Sequence, residues 1–291
     1  MMPDCPRATK AVEPGEAGYA LVAAVAAILF FAVIALGILS LTQRVLVTGT
    51  AEVEAARTSA AADAGIAFAL RGLAANGPEN AFPIDGTLRR MRFETAELEI
   101  AVTDERGKVP LNLVDEEQLT ALLEFAGLSG DPLMIARDSY LDWIDDDDEP
   151  RPDGAELDYY RPQGIHPRNA GFVTLGELGR VRGFTSAIVR KIASVATTDF
   201  GNSSFDVRSA SPAAIRIMYP GGDAAVDEIV RSRETQGQVT ALGFVDRRNR
   251  LARPLTISVR ASSPSGAVSA RSCIVELTGA ERRPYVIRHC V

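Results

Sequence analysis

Hydrophobic positions are unevenly placed along this chain. From Tyr19 to Leu41 no charged residue occurs, and nearly every position is Ala, Val, Leu, Ile or Phe. At ~1.5 Å per residue, such a run crosses a ~30 Å hydrocarbon layer as a helix whose backbone satisfies its own hydrogen bonds. From Leu41 to Leu73 the chain stays rich in Ala, with Arg44, Glu52, Glu54, Arg57 and Asp63 set among apolar positions and no proline before Pro78. That composition favours helix. The pattern predicts one long helix, membrane-spanning over 19–41 and amphipathic over 42–75.

Further on, the period changes. Ala96 to Thr103 alternates apolar and polar residues, as a half-buried strand does, and defines a strand region over 90–104. Leu255 to Ala261, Ala267 to Leu277 and Tyr285 to Val291 read the same way, with turn residues at Ser263 to Gly266 and Thr278 to Ala280. These strands predict one antiparallel sheet, completed by 246–291 and packed on the amphipathic half of the helix. Between them, over 105–245, the pattern is helical. Asp115 is an N-cap for Glu116 to Phe125 with Gly127 as the stop, and Asp131-Pro132 opens a helix to Ile144. Thr174 caps Leu175 to Val181, Thr185 caps Ser186 to Ser194, and Ser211-Pro212 and Asp223 begin two more. An echo between 109–115 and 205–211 suggests two small helical units. The fold class is α+β, with a large helical insert in the sheet.

A polar leader, residues 1–18, precedes the span and ends in Ala17-Gly18. A secretory signal would place its small-residue cleavage site after the apolar run. Gly18 comes before it. A polar leader, a glycine and a spanning helix that continues as an amphipathic one resembles the N-terminus of type IV pilins and pseudopilins; a plain signal anchor with a chance glycine is the other reading. The resemblance implies prepilin peptidase cleavage between Gly18 and Tyr19 and methylation of the new N-terminus. Ala23 then stands where most of that superfamily has Glu. A carboxylate in the bilayer is costly unless paired, and a subunit with no neighbour above it can do without one.

The middle of the chain sharpens the resemblance. Gly107-Lys108-Val-Pro-Leu111-Asn112, Asp142-Trp143-Ile-Asp145, Gly154-Ala155-Glu156 through Tyr159-Tyr160, and Asn169, Phe172, Glu177-Leu178, Val181 and Gly183-Phe184 are similar to motifs of the K-type minor pseudopilins of type II secretion. That likeness implies a pseudopilin fold with an inserted α-domain and a non-catalytic tip subunit. The partners it implies are I- and J-type minor pseudopilins, the major pseudopilin and prepilin peptidase. It also implies a single pass through the bacterial inner membrane, with the C-terminal domain in the periplasm. A minor pilin of a type IV pilus is the alternative.

Charge enters most strongly at Asp145, Asp146, Asp147, Asp148 and Glu149, followed by Asp153, Glu156 and Asp158. Carboxylates this close repel one another and need a cation or full exposure. Asp145, Asp147, Glu149 and Glu156 hold offsets 1, 3, 5 and 12 of an EF-hand loop, but Pro150 sits where that loop needs Gly. A solvated acidic loop and a Ca²⁺ site both fit the residues; the K-type resemblance implies calcium, with ligands among Asp145 to Glu149, Glu156 and Asp158. Cys273 and Cys290 lie equidistant from a turn near Glu281-Arg282, so a cross-strand disulfide and two free thiols are both open. No nucleophile elbow, phosphate loop or metal-spaced histidine pair occurs, and the sequence is read as non-enzymatic. The net charge of −7 and pI near 5.1 argue against a nucleic-acid partner. The rival is a helix-Gly-helix segment, Leu178 to Ile192, that resembles a helix-hairpin-helix DNA binder and carries Arg180, Arg182, Arg190 and Lys191.

Overall fold

The computed structural model describes residues 14–74, 82–201, 204–220, 222–235 and 251–291. Residues 1–13 of the expected leader, and the stretch before 251, lie outside the described residues. The chain divides after Arg57 into two compact units, 1–57 and 58–291. Helix α1 runs Pro14–Ala74, so it begins ahead of the apolar run instead of with it. Within it, Leu21–Leu39 has a mean hydropathy of 3.0 and no buried residue, which is long and apolar enough to cross a membrane.

In the second unit, the last turns of α1 bury Ala61, Ala62, Ile66, Ala69, Leu70 and Leu73. This face meets a five-stranded antiparallel sheet of order β1-β2-β5-β6-β7. Its strands are β1 (Arg89–Phe93), β2 (Ala96–Asp104), β5 (Pro254–Ser262), β6 (Val268–Ala280) and β7 (Arg283–Cys290). Strand β2 alternates as its sequence predicts, burying Leu98, Ile100 and Val102 beside Leu255, Ile257 and Val259 of β5. Each such side chain contributes roughly 1.5–3 kcal/mol through burial. Gly65 allows the close approach of helix and sheet, because a Cβ there would sit 2.6 Å from Val259 Cγ1.

Strand β1 was not expected as a separate element. Its sequence, Arg89-Arg-Met-Arg-Phe93, carries too much charge to show alternation. It forms because Arg90 and Arg92 face Glu99 and Glu97 across the ladder, at 2.9 and 3.7 Å. Charge on an edge strand also discourages strand addition by another chain. At the other edge, Cys273 and Cys290 are register partners with Cα atoms 4.1 Å apart and are joined as a disulfide. Val291 then exchanges two backbone bonds with Ser272.

The excursion between β2 and β5 holds α2 (Glu116–Phe125), α3 (Gly130–Ile144), α4 (Leu157–Tyr160), α5 (Ser186–Ala193), α6 (Pro212–Met218) and α7 (Asp223–Thr235). It also holds two short strands, β3 (Val109–Pro110) and β4 (Ala196–Thr197), paired in parallel. Asp115 and Gln118 cap α2 reciprocally, and Gly127 closes it at φ +96°. Thr185 and Ser211 cap α5 and α6 with their side chains. Thr174 makes no capping bond, and the segment after it is a 3-10 helix, Leu175–Arg180, with glycines at 176 and 179 weakening an α-helix. The two expected helical units are in fact one body. A single cluster joins Leu119, Leu122 and Trp143 to Ile192, Ile215 and Val226, because α2 and α6 cover each other's apolar faces.

Both crossings between sheet and insert are fastened by buried charge. Arg253, at the return, donates to Asp104 at the exit and to Asp206 within the insert, the latter at 3.0 Å. Arg208 donates to Asp206 at 2.7 Å. Burial pushes the Asp104 carboxyl up, partly offset by Arg253. Burial acts the same way on Asp206, but bonds from Arg208 and Arg253 outweigh it and hold that carboxyl well below the usual range.

The helix–sheet contact yields a double-mutant test. Gly65→Ala should destabilise the full-length protein in detergent by roughly 1–2 kcal/mol in urea unfolding, since overpacking outweighs the better helix propensity. With Val259→Ala in place the same change should become neutral or stabilising; equal effects in both backgrounds would contradict the packing.

Candidate functional site

The acidic loop begins where α3 ends. Asp145 closes the helix with its N–H on Leu141 O at 3.1 Å, and the chain then turns back along the helix. The return lies flat on α3 because Asp142, fully buried, accepts from the Arg151 backbone N–H at 3.2 Å and from Arg151 Nη1 at 2.7 Å. Gly154 is needed at this contact, as a Cβ there would meet Asp142 Oδ2 at 1.9 Å. Arg182 Nη1 ties down the carbonyls of Asp153 and Gly154 at 3.3 and 2.8 Å, and its guanidinium lies over the Tyr159 ring.

This path brings Asp145, Asp147 and Glu156 together, one carboxylate oxygen from each within 4.8 Å of the others. Glu156 is only 5% exposed, and neither of its oxygens accepts a hydrogen bond among the described residues; Asp145 Oδ1 is in the same condition. Two like charges this close repel by about 3 kcal/mol at an effective dielectric of ~20. Burial, followed by the charges of Asp142 and Asp145, pushes the Glu156 carboxyl up to about 7. Orphaned buried carboxylate oxygens facing one another are a donor set suited to a hard cation.

The other expected ligands do not join this group. Asp146 is exposed. Asp148 accepts from the Asn169 amide at 3.2 Å. Glu149 is exposed and, among the described residues, only its backbone N–H is engaged, on Asp147 Oδ1 at 2.8 Å. Asp158 sits in solvent and pairs with Arg161 at 3.2 Å. The seven carboxylates therefore reduce to three, because α4 turns Asp158 outward and the short turn after Asp147 directs its neighbours away. The residues that build the site but were not assigned to it are Asp142, Arg151, Gly154 and Asn169. Asn169, in the left-handed region at φ +47°, also donates to Asp147 O at 2.7 Å. The available signal was a lone Arg and a Gly inside an acidic run.

Tyr19 and Ala23 are both exposed on α1, and Gly18 lies within the same helix. In the helix-Gly-helix segment, Lys191 lies over the Phe125 ring at 4.6 Å and Arg182 is held by the loop carbonyls, so half of its four cations are engaged within the protein.

Residues 97–198 match the family model described as type II secretion system (T2SS), protein K. The fold is similar to that of a chain in the crystal structure of the GspK-GspI-GspJ complex from the enterotoxigenic Escherichia coli Type 2 Secretion System. The TM-score is 0.56 at 13% identity, over 84% of this chain and 98% of that one. Residues 97–198 therefore carry a protein K domain, and the fold around them is that of the GspK-GspI-GspJ relative. A search of curated proteins finds no match. The matched stretch runs from β2 to β4 and so includes the acidic loop with its supports on α3. The domain match and the fold together support a minor pseudopilin role in type II secretion, and the matched family is a structural component of that apparatus.

Proposed function

We propose that this chain is a minor pseudopilin of type II secretion and a tip subunit, joining I- and J-type minor pseudopilins to start the pseudopilus and close its upper end. The observation that carries this reading is the insert. A helical body that holds α2 to α7 emerges between two adjacent strands of the sheet, fastened at both crossings by Arg253. In this reading, that bulk is what blocks the addition of a further subunit. The apolar span agrees with that position. It carries Ala23 and no acid from Tyr19 to Leu41, so no carboxylate there needs a partner from a subunit above. Small residues at Ala20, Ala23, Ala24 and Ala27 suit close helix packing in the bilayer against the major pseudopilin and its relatives. Prepilin peptidase releases the leader at Gly18-Tyr19 and the new N-terminus is methylated. The anchor then crosses the inner membrane once and the folded unit stands in the periplasm, an oxidising compartment where the Cys273–Cys290 bond persists.

Asp145, Asp147 and Glu156 would hold Ca²⁺, with Asp142 and Asn169 fixing the loop around them. The cation supplies charge neutralisation and a fixed loop; no reaction is assigned to it.

Co-expression with I- and J-type minor pseudopilins should give a ternary complex that survives detergent extraction and gel filtration. Recovery of this chain with the major pseudopilin alone would overturn the tip assignment. For the metal, calorimetry on the chelator-treated full-length protein in detergent should show Ca²⁺ binding. Glu156→Gln should weaken it about tenfold or more, and Glu149→Gln should leave it unchanged. No heat at millimolar Ca²⁺ would remove calcium from the account.

A further inference from the structure

The acidic loop contains one cation of its own. Arg151 Nη1 reaches Asp142 Oδ1 at 2.7 Å and Asp145 Oδ2 at 2.5 Å, bridging a fully buried carboxylate to one of the three that converge with Glu156. The two halves of the loop are otherwise held very differently. The 151–154 turn is fastened to the protein body by several contacts that do not involve the Arg151 side chain. These are the Arg151 N–H on Asp142, the Asp153 N–H on Asp138 Oδ2 at 3.4 Å, and Arg182 on two carbonyls. The 145–149 arm has few ties to the rest of the protein: the end of α3, the Asn169 amide and the Arg151 side chain. Yet this arm carries Asp145 and Asp147, which must stay beside Glu156 against their mutual repulsion.

We propose that Arg151 is a built-in counter-cation that keeps the 145–149 arm folded against the insert before any metal arrives. Four carboxylates, Asp142, Asp145, Asp147 and Glu156, share this corner with one guanidinium. A permanent charge that bridges Asp142 and Asp145 removes the repulsion between those two and ties the arm to the anchored turn. Asp145 Oδ1 is left without a hydrogen bond and available to a second cation. The metal ligands are therefore set in place in advance, and binding does not have to order the loop. Only this last consequence rests on the calcium reading; the role of Arg151 in the metal-free protein stands apart from it.

Hydrogen exchange on the full-length protein in detergent, stripped with chelator, tests this. The Asp145 and Glu149 amides, bonded to Leu141 O and Asp147 Oδ1, report on the arm, and the amides of α2 report on the body of the insert. In chelated Arg151→Gln, which can still donate to Asp142, exchange at 145–149 should rise about tenfold or more while α2 stays protected. Arg151→Lys should fall between, supplying the charge without the two-carboxylate bridge. Added Ca²⁺ should restore protection in Arg151→Gln and change wild type little. Unchanged exchange at 145–149 in chelated Arg151→Gln overturns the proposal, and so does an equal rise in α2, which would make Arg151 a general support. A loosened arm that Ca²⁺ does not restore, with no calcium heat in wild type, upholds the counter-cation and removes the calcium reading instead.

Discussion

Strands β2 and β5 pair from Glu97–Ser262 to Asp104–Leu255, although the pairing residues at the far end are about 150 positions apart in sequence. Most of the second unit follows from this one ladder. It pins both ends of the insert a strand's width from each other, so the helical body must begin and finish at the same corner of the sheet. The loop-closure entropy of so long an excursion is offset only if the insert is well folded itself. The single core spanning α2 to α7 meets that need, and the buried Arg253 bridge to Asp104 and Asp206 fixes the corner. Removing one partner of such a bridge would leave an uncompensated buried charge, so the junction is either fully made or strongly destabilised.

The same physics of charge acts at two other places with opposite solutions. In the span, Tyr19 to Leu41 avoids the problem by carrying no ionisable group other than the tyrosine phenol. In the acidic loop, carboxylates are gathered, and the chain supplies one guanidinium from its own sequence while leaving three oxygens, two on Glu156 and one on Asp145, unanswered. One lets the helix lie in hydrocarbon; the other fixes the loop at the end of α3.

Much of this was legible in the sequence because local rules sufficed. The uncharged run, the alternation of 96–103 and 255–261, and the Asp115, Thr185 and Ser211 caps each depend on neighbours a few residues away. What was missed depends on distant partners. Strand β1 exists only through its pairing to β2 and has no apolar alternation to announce it. The union of two expected helical units into one core arises from α2 meeting α6 across about 100 residues. Of the seven acidic residues taken as ligands, spacing alone could not separate the three that converge from the four that α4 and the tight turn send outward. Arg151 and Gly154 were hidden for the same reason, since their importance comes from Asp142 on the preceding helix.

The central claim is that this chain is processed and assembled as a pseudopilin. N-terminal sequencing of the membrane-extracted protein, produced with and without a prepilin peptidase, tests it most directly. The account predicts a mature chain beginning at Tyr19 only when the peptidase is present. A start at Met1 under both conditions, or cleavage beyond Leu41, would contradict it.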